Sequence, residues 1–194
     1  MKKPYSFKKE QSLYIETGKQ KVLEVLFRYP EREFSLSDLA KEAGVAKANI
    51  GTILDELYKN NIIRIEKLSK IWRIRVNQGN WNFVKNKIVF NLGFIFSSGL
   101  VEYLSDYYKN PKAIILFGSF RRGEDISTSD IDIAIEVDDM KEYLTGRMIG
   151  LRALEETIAR KIQIHQFNRK SIDINLFNNI ANGIVLSGFL EVRP

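Results

Sequence analysis

Apolar residues recur along this chain with two different periods, and the changes between them predict most of its elements. From Gly18 to Tyr29, Val22, Leu23, Val25, Leu26 and Phe27 fit one helical face, and Pro30 stops the run. Ser37 is placed to cap a short helix over Asp38–Ala43, Gly44 supplies a tight reversal, and Val45 packs inward. Ala46 to Asn60 predicts the next helix, with Ile50, Ile53, Leu54 and Leu57 on one side. Ile62–Lys67 and Ile71–Val76 alternate and are joined at Leu68-Ser69-Lys70, which predicts a β-hairpin. Gln78-Gly79-Asn80 breaks that pattern. A long apolar helix is predicted from Trp81 to Tyr108, either the first core helix of the C-terminal domain or a dimer surface, and Asn110-Pro111 ends it.

Beyond Pro111 the period shifts again. A strand is predicted at Ala113–Phe117, then a basic, flexible loop, then a strand at Ile131–Val137. Next come a helix over Lys141–Arg160, a strand over Lys161–Gln166 and a helix over about 174–182, and Val185-Leu186-Ser187-Gly188 closes the chain. The fold class expected is α+β: a helical N-terminal part with a hairpin over 1–77, a connecting helix over 78–110, and a small mixed sheet with helices on one face over 111–194.

Composition narrows this picture in three ways. The 194 residues include no cysteine, so disulfides and thiolate metal sites are excluded. Ile88 to Val101 is the longest uncharged apolar stretch, 14 residues interrupted by Asn91, Gly93, Ser97 and Ser98, too short to span a bilayer. With no signal-like N-terminus, a cytoplasmic protein without membrane contact is expected. The net charge is +6, and all of the excess lies in residues 1–77, where 16 Lys/Arg face 10 Asp/Glu; residues 78–194 hold 14 of each. A localised basic surface points to a polyanionic partner there.

The chemistry-bearing residues cluster in one short stretch. Leu116-Phe117-Gly118-Ser119 ends a strand in a small-residue corner, and Ser129-Asp130-Ile131-Asp132-Ile133 opens the next. Strand alternation sends Asp130 and Asp132 to one face while Ile131, Ile133 and Ile135 fill the other. Paired acids repel unless a hard divalent cation lies between them, which suits Mg²⁺ or Mn²⁺. Gly118 and Ser119 can bring backbone N–H groups and a hydroxyl close to a phosphate. A carboxylate pair beside a phosphate cradle is equipment for phosphoryl or nucleotidyl transfer.

Gly118-Ser119, ten intervening residues, then Asp130-Ile131-Asp132 resembles the signature of the nucleotidyltransferase superfamily that includes DNA polymerase β, and is closest to its minimal single-domain members. Arg122-Gly123 and Ser129 also fit that pattern. The resemblance implies Asp130 and Asp132 as metal ligands and catalytic residues. Gly118, Ser119, Arg122 and Ser129 would contact the nucleotide. Substrate would be ATP or another NTP, giving up a nucleoside monophosphate to an unidentified acceptor. Arg122 has a second possible role, pairing with Glu124 or Asp125 in the loop. Active members usually carry a third carboxylate on a later strand; here that strand offers Gln163 and His165 on one face. His165 is therefore the candidate proton acceptor, and a binding domain with weakened catalysis is the alternative. The minimal members often act as antitoxins to a helical toxin, and some adenylylate it, which implies a toxin-like partner.

The stretch from Phe34 to Val45 resembles a winged helix-turn-helix domain. That resemblance implies double-stranded DNA as partner. Lys47, Asn49 and Thr52 of the recognition helix would face the major groove, and Arg64, Lys67, Lys70, Arg73 and Arg75 of the wing would meet phosphates. A winged helix used only for protein contacts would leave those charges solvated. A homodimer is expected if the DNA site is a palindrome.

Overall fold

The structure, a computed structural model, describes residues 17–68, 71–138, 140, 142–170 and 172–192. They fall into two compact units, one up to Phe90 and one from Asn91. The boundary lies inside a helix, whereas the sequence suggested a separate connector over 78–110.

The first unit begins with α1 (Gly18–Arg28). Thr17 caps it, and Gln20 returns a side-chain bond to the Thr17 N–H. In α2 (Leu36–Glu42) the cap is Ser35, whose hydroxyl accepts from the Asp38 N–H at 3.1 Å. The cap expected at Ser37 is thus displaced by two residues: Ser35 holds an extended backbone, which a cap needs, while Ser37 already lies in the first turn. Then come α3 (Lys47–Lys59) and the antiparallel hairpin β1 (Ile63–Leu68) and β2 (Ile71–Val76). Phe34 bridges to Ile74, so the segment before α2 adds a third partner to the hairpin. Leu26, Leu39, Ile50, Leu54, Leu57, Ile63 and Ile74 are buried together in one core.

The apolar run from Trp81 is two helices, α4 (Trp81–Ser97) and α5 (Leu100–Tyr107), bent by 51° at the break. The single helix expected to Tyr108 fails at Gly99, whose φ of +71° is left-handed and open to glycine at little cost. Among the described residues no single helix is long and apolar enough to cross a membrane.

The second unit is built on a five-stranded sheet. Its strands are β3 (Ala113–Phe117), β4 (Ile131–Glu136), β5 (Leu144–Gly146), β6 (Ile162–Phe167) and β7 (Ile184–Gly188). Their spatial order is β5-β6-β4-β3-β7, with β4 and β6 parallel and the other pairs antiparallel. The helix expected over Lys141–Arg160 divides into β5, a 3₁₀ turn at Ile149–Leu151 and α7 (Arg152–Ile158). Gly146 and Gly150 interrupt the helical pattern, and Tyr143-Leu144-Thr145 suits an edge strand.

Every residue of β3 is buried, because both sheet faces are covered. Ile114, Leu116, Ile131, Ile133, Ile135, Ile162 and Ile164 pack with α5 and α7 residues on one face. Ala113, Ile115, Phe117, Ala134 and Phe167 pack on the other, against Ile180, Leu176 and Phe177 of α8 (Ile174–Ala181). Helices on one face only, as expected, would have left that second apolar set in water. The two-sided burial also fixes register. A one-residue slip of β4 would turn its three isoleucines to the Asp132 face and drive Asp132 and Glu136 into the apolar core, where an unpaired carboxylate is costly, so the direction of Asp132 is set by the core beneath it.

Candidate active site

β3 delivers the chain to Gly118, and β4 returns it so that Phe117 lies opposite Asp132. Between them the expected flexible loop is a short helix, α6 (Gly118–Arg122), followed by a turn. That turn is pinned from within. Asn91 Nδ2 donates to Phe120 O at 2.8 Å and to Asp125 Oδ1 at 2.9 Å, and Arg160 lies 3.5 Å from Asp125 Oδ2. Asp125, 1% exposed, is a structural anchor that holds the segment leading to Asp130. Arg122 turns outward and pairs with Glu124 at 2.6 Å. The Ser129 hydroxyl accepts from the Ile126 N–H at 3.0 Å and closes the last bend before the acids. The Ser119 carbonyl accepts from the Glu124 N–H at 3.1 Å, tying the first turn of α6 to the same segment.

The Asp132 carboxylate rests directly on Gly118. A Cβ at Gly118 would sit 2.2 Å from Asp132 Oδ2, and its φ of +74° is left-handed as well. Glycine is therefore required twice, for the turn and for the approach of the acid. The other oxygen, Oδ1, lies 3.3 Å from His165 Nε2. His165 stands on the neighbouring parallel strand, where it pairs with Ala134. Its Nδ1 is 2.5 Å from the Tyr143 hydroxyl, and the Phe117 ring meets it edge-on at 4.8 Å between centroids. Gln163 lies opposite Asp132 in register, but its amide donates to Thr145 Oγ1 at 2.7 Å and fastens β5 to β6.

Asp130 precedes β4 and is near Arg147. The Arg147 guanidinium is raised above its ordinary pKa first by its hydrogen bond to Glu155, with a smaller contribution from Asp130. Glu155 is nearly buried and accepts from Arg147 and from the Ile162 N–H at 2.7 Å. Burial pushes its carboxyl up, but those donors outweigh burial and hold it below the usual range.

The residue types suit a single hard cation. Asp130 and Asp132 offer carboxylate oxygens, and Asp132 is held so that Oδ2 faces the Gly118 bend. Among the described residues no group of three or more His, Cys, Asp or Glu is placed to hold a metal. Further ligands would have to be phosphate oxygens and water, the usual arrangement for Mg²⁺ at nucleotide sites.

The sequence profile described as "Polymerase beta, Nucleotidyltransferase" matches residues 99–188. The chain is also 37% identical, over 83 aligned positions, to a Methanocaldococcus jannaschii protein named as a putative protein adenylyltransferase, a match spanning 38% of this chain and 80% of that relative. This chain belongs to the polymerase beta nucleotidyltransferase family. A solved structure of Bordetella bronchiseptica BpsR, concerned with regulation of its DNA binding by 6-hydroxynicotinic acid, covers 52% of this chain and 84% of its own at 12% identity. Its TM-score is 0.36, too low to support any conclusion.

The candidate DNA-facing residues lie in the first unit. Lys47, Asn49 and Thr52 are exposed on α3, and Arg64, Lys67, Arg73 and Arg75 lie on the hairpin; Lys70 lies outside the described residues. Two of the hairpin cations are already committed: Arg73 at 2.9 Å and Arg75 both pair with Glu33. The hydrogen bond from Arg75 and the charge of Arg73 hold the Glu33 carboxyl below its usual range against slight desolvation. Lys67 sits 4.3 Å over the Trp72 ring, and Arg64 donates to Asn77 Oδ1 at 3.2 Å.

Three partners of the site escaped the sequence reading: Tyr143, the Arg147–Glu155 pair, and Asn91. Tyr143 was hidden by the helix expected over its segment; the aromatic and β-branched run Tyr143-Leu144-Thr145 was the available signal. Asn91 is more than 30 positions from Asp125, and no local pattern links them.

Proposed function

We propose that this protein transfers a nucleoside monophosphate from ATP, or another NTP, to a protein or nucleic-acid acceptor, with Asp130 and Asp132 holding Mg²⁺ or Mn²⁺. The observation that carries this reading is Asp132 seated on Gly118, the motif's two halves in direct contact. A bound cation would neutralise charge on the triphosphate while its α-phosphorus is attacked. The chain's own residues do the rest. Gly118 leaves room for the acid and the phosphates. Ser119, in the first turn of α6, offers a hydroxyl beside them. The Asn91–Asp125–Arg160 anchor keeps Asp130 from drifting, and the isoleucines of β4 fix Asp132 from below. The relative named as a putative protein adenylyltransferase supports adenylyl transfer as the chemistry.

The first unit is read as a winged helix that binds duplex DNA, with α3 as recognition helix and β1–β2 as wing. The order of elements and the exposed Lys47, Asn49, Thr52 and Lys67 support this. A second reading, a DNA-binding regulator or antitoxin-like protein whose nucleotidyltransferase unit binds nucleotide without efficient transfer, is favoured by one observation: Gln163, neutral and bonded to Thr145, stands in register with Asp132 where an acid would be expected.

The two readings separate in one experiment. The full chain is incubated with Mg²⁺, α-labelled ATP and candidate acceptor proteins, beside Asp130→Ala/Asp132→Ala. Label that moves to protein and is lost in the variant selects transfer. Metal-dependent binding without transfer selects the regulator, and neither binding nor transfer would remove both.

A further inference from the structure

We infer that Tyr143 and His165 are positioning residues that together set the Asp132 carboxylate for a divalent cation; this rests on the reading of Asp132 as a metal ligand. His165 is flanked on both ring nitrogens, by Tyr143 at 2.5 Å and Asp132 at 3.3 Å. An ionised carboxylate only accepts, so the proton between His165 and Asp132 sits on Nε2. Nδ1 then carries the lone pair and accepts from the Tyr143 hydroxyl. Phe117, edge-on to the imidazole, and the pairing of β5 with β6 leave the ring little freedom to turn. The side chains of His165 and Asp132 are 13% and 27% exposed, so these bonds are partly shielded from water.

The consequence falls on Asp132. Its Oδ1 is held by the imidazole and its Oδ2 lies at Gly118, so the carboxylate plane is fixed before any cation arrives. Tyr143 acts one step further out: its hydroxyl selects the tautomer that donates to Asp132. Without it the Nδ1–H form becomes available, and that form offers Asp132 a lone pair in place of a donor. With both nitrogens committed, His165 serves as an orienting group, a different role from the proton acceptor expected from sequence. Partners of this kind, one bond beyond the ligand, are typically worth about 10–100-fold in metal affinity.

His165 is the only histidine, so ¹⁵N-histidine labelling of the full chain reports one imidazole without assignment. The expected spectrum has Nε2 protonated and Nδ1 bare. Tyr143→Phe keeps the ring and removes only the hydroxyl; it should move the Nδ1 resonance and weaken Mn²⁺ binding, followed with Mn²⁺ alone by electron paramagnetic resonance, by more than about twofold, a smaller loss than that of His165 itself. Thr145→Val, at the strand partner of His165, removes the Gln163 bond on the same edge strand but neither side-chain bond of the imidazole, and should leave both readouts in place. A wild-type proton on Nδ1, Mn²⁺ affinity unchanged within about twofold in Tyr143→Phe, or the same loss in Thr145→Val would each overturn the inference. Mn²⁺ binding indifferent to both Asp130→Asn and Asp132→Asn would instead overturn the parent reading, whatever the tautomer.

Discussion

Gly118 carries more constraint than any other single position in the site. Its left-handed backbone alone costs a side-chain-bearing residue roughly 1–2 kcal/mol, and a methyl group there would displace the Asp132 carboxylate. Gly118→Ala is therefore expected to lower stability in urea by about that amount and to reduce transfer far more, on the order of 10²-fold, since displacement of a reacting group by an ångström costs that much. A variant that unfolds earlier yet transfers label normally would show that the contact is only structural. Glu155 makes a different prediction. Its carboxyl titrates lower in the folded chain than in the unfolded one, so the unfolded chain binds more protons between those two values. Its stabilisation is present above the ordinary carboxylate range and is lost as pH falls through the depressed folded value. Glu155→Gln should cost roughly 1–3 kcal/mol at neutral pH, with the gap to wild type narrowing in acid; denaturant melts at a series of pH values read it directly, and a gap constant with pH would refute it. The approach of Asp132 to the Gly118 bend was legible in sequence because the two lie within fifteen positions. Tyr143, Glu155 and Asn91 were not, because each reaches the site only through tertiary packing.

At the scale of elements, strands followed the sequence closely where one local rule acted alone. Ala113–Phe117, a continuous apolar run, and Ile71–Val76, an alternating one, are strands with the expected bounds. Rules that compete misled. A continuous apolar run outweighed Gly99 in the reading of α4 and α5, and helical periodicity masked β5, a strand of three residues whose partner is about twenty positions away. The hairpin carries its own prediction. Arg73 and Arg75 share Glu33, so in the proposed DNA interface their charge is already partly cancelled. Glu33→Gln should strengthen duplex binding, and Arg73→Ala/Arg75→Ala should weaken it and flatten its salt dependence by up to about 0.9 log units per lost phosphate contact. Fluorescence anisotropy across a salt series measures both, and slopes that stay equal would take the hairpin out of the DNA interface.

Over the whole molecule, the positive excess sits in residues 1–77 and the acids of the candidate site sit in the other unit. The two proposed partners, a polyanion and a metal-bound nucleotide, would thus meet different parts of one chain. Substitution at Asp130 and Asp132 should leave duplex affinity unchanged. The central claim is that those two carboxylates and the Gly118 bend form one nucleotide site. Calorimetric titration of the full chain with a non-hydrolysable ATP analogue, with and without Mg²⁺, tests it most directly. Binding that requires Mg²⁺ and disappears in Asp130→Asn/Asp132→Asn is the result predicted; binding of equal strength in the variant, or none in the wild type, would contradict it.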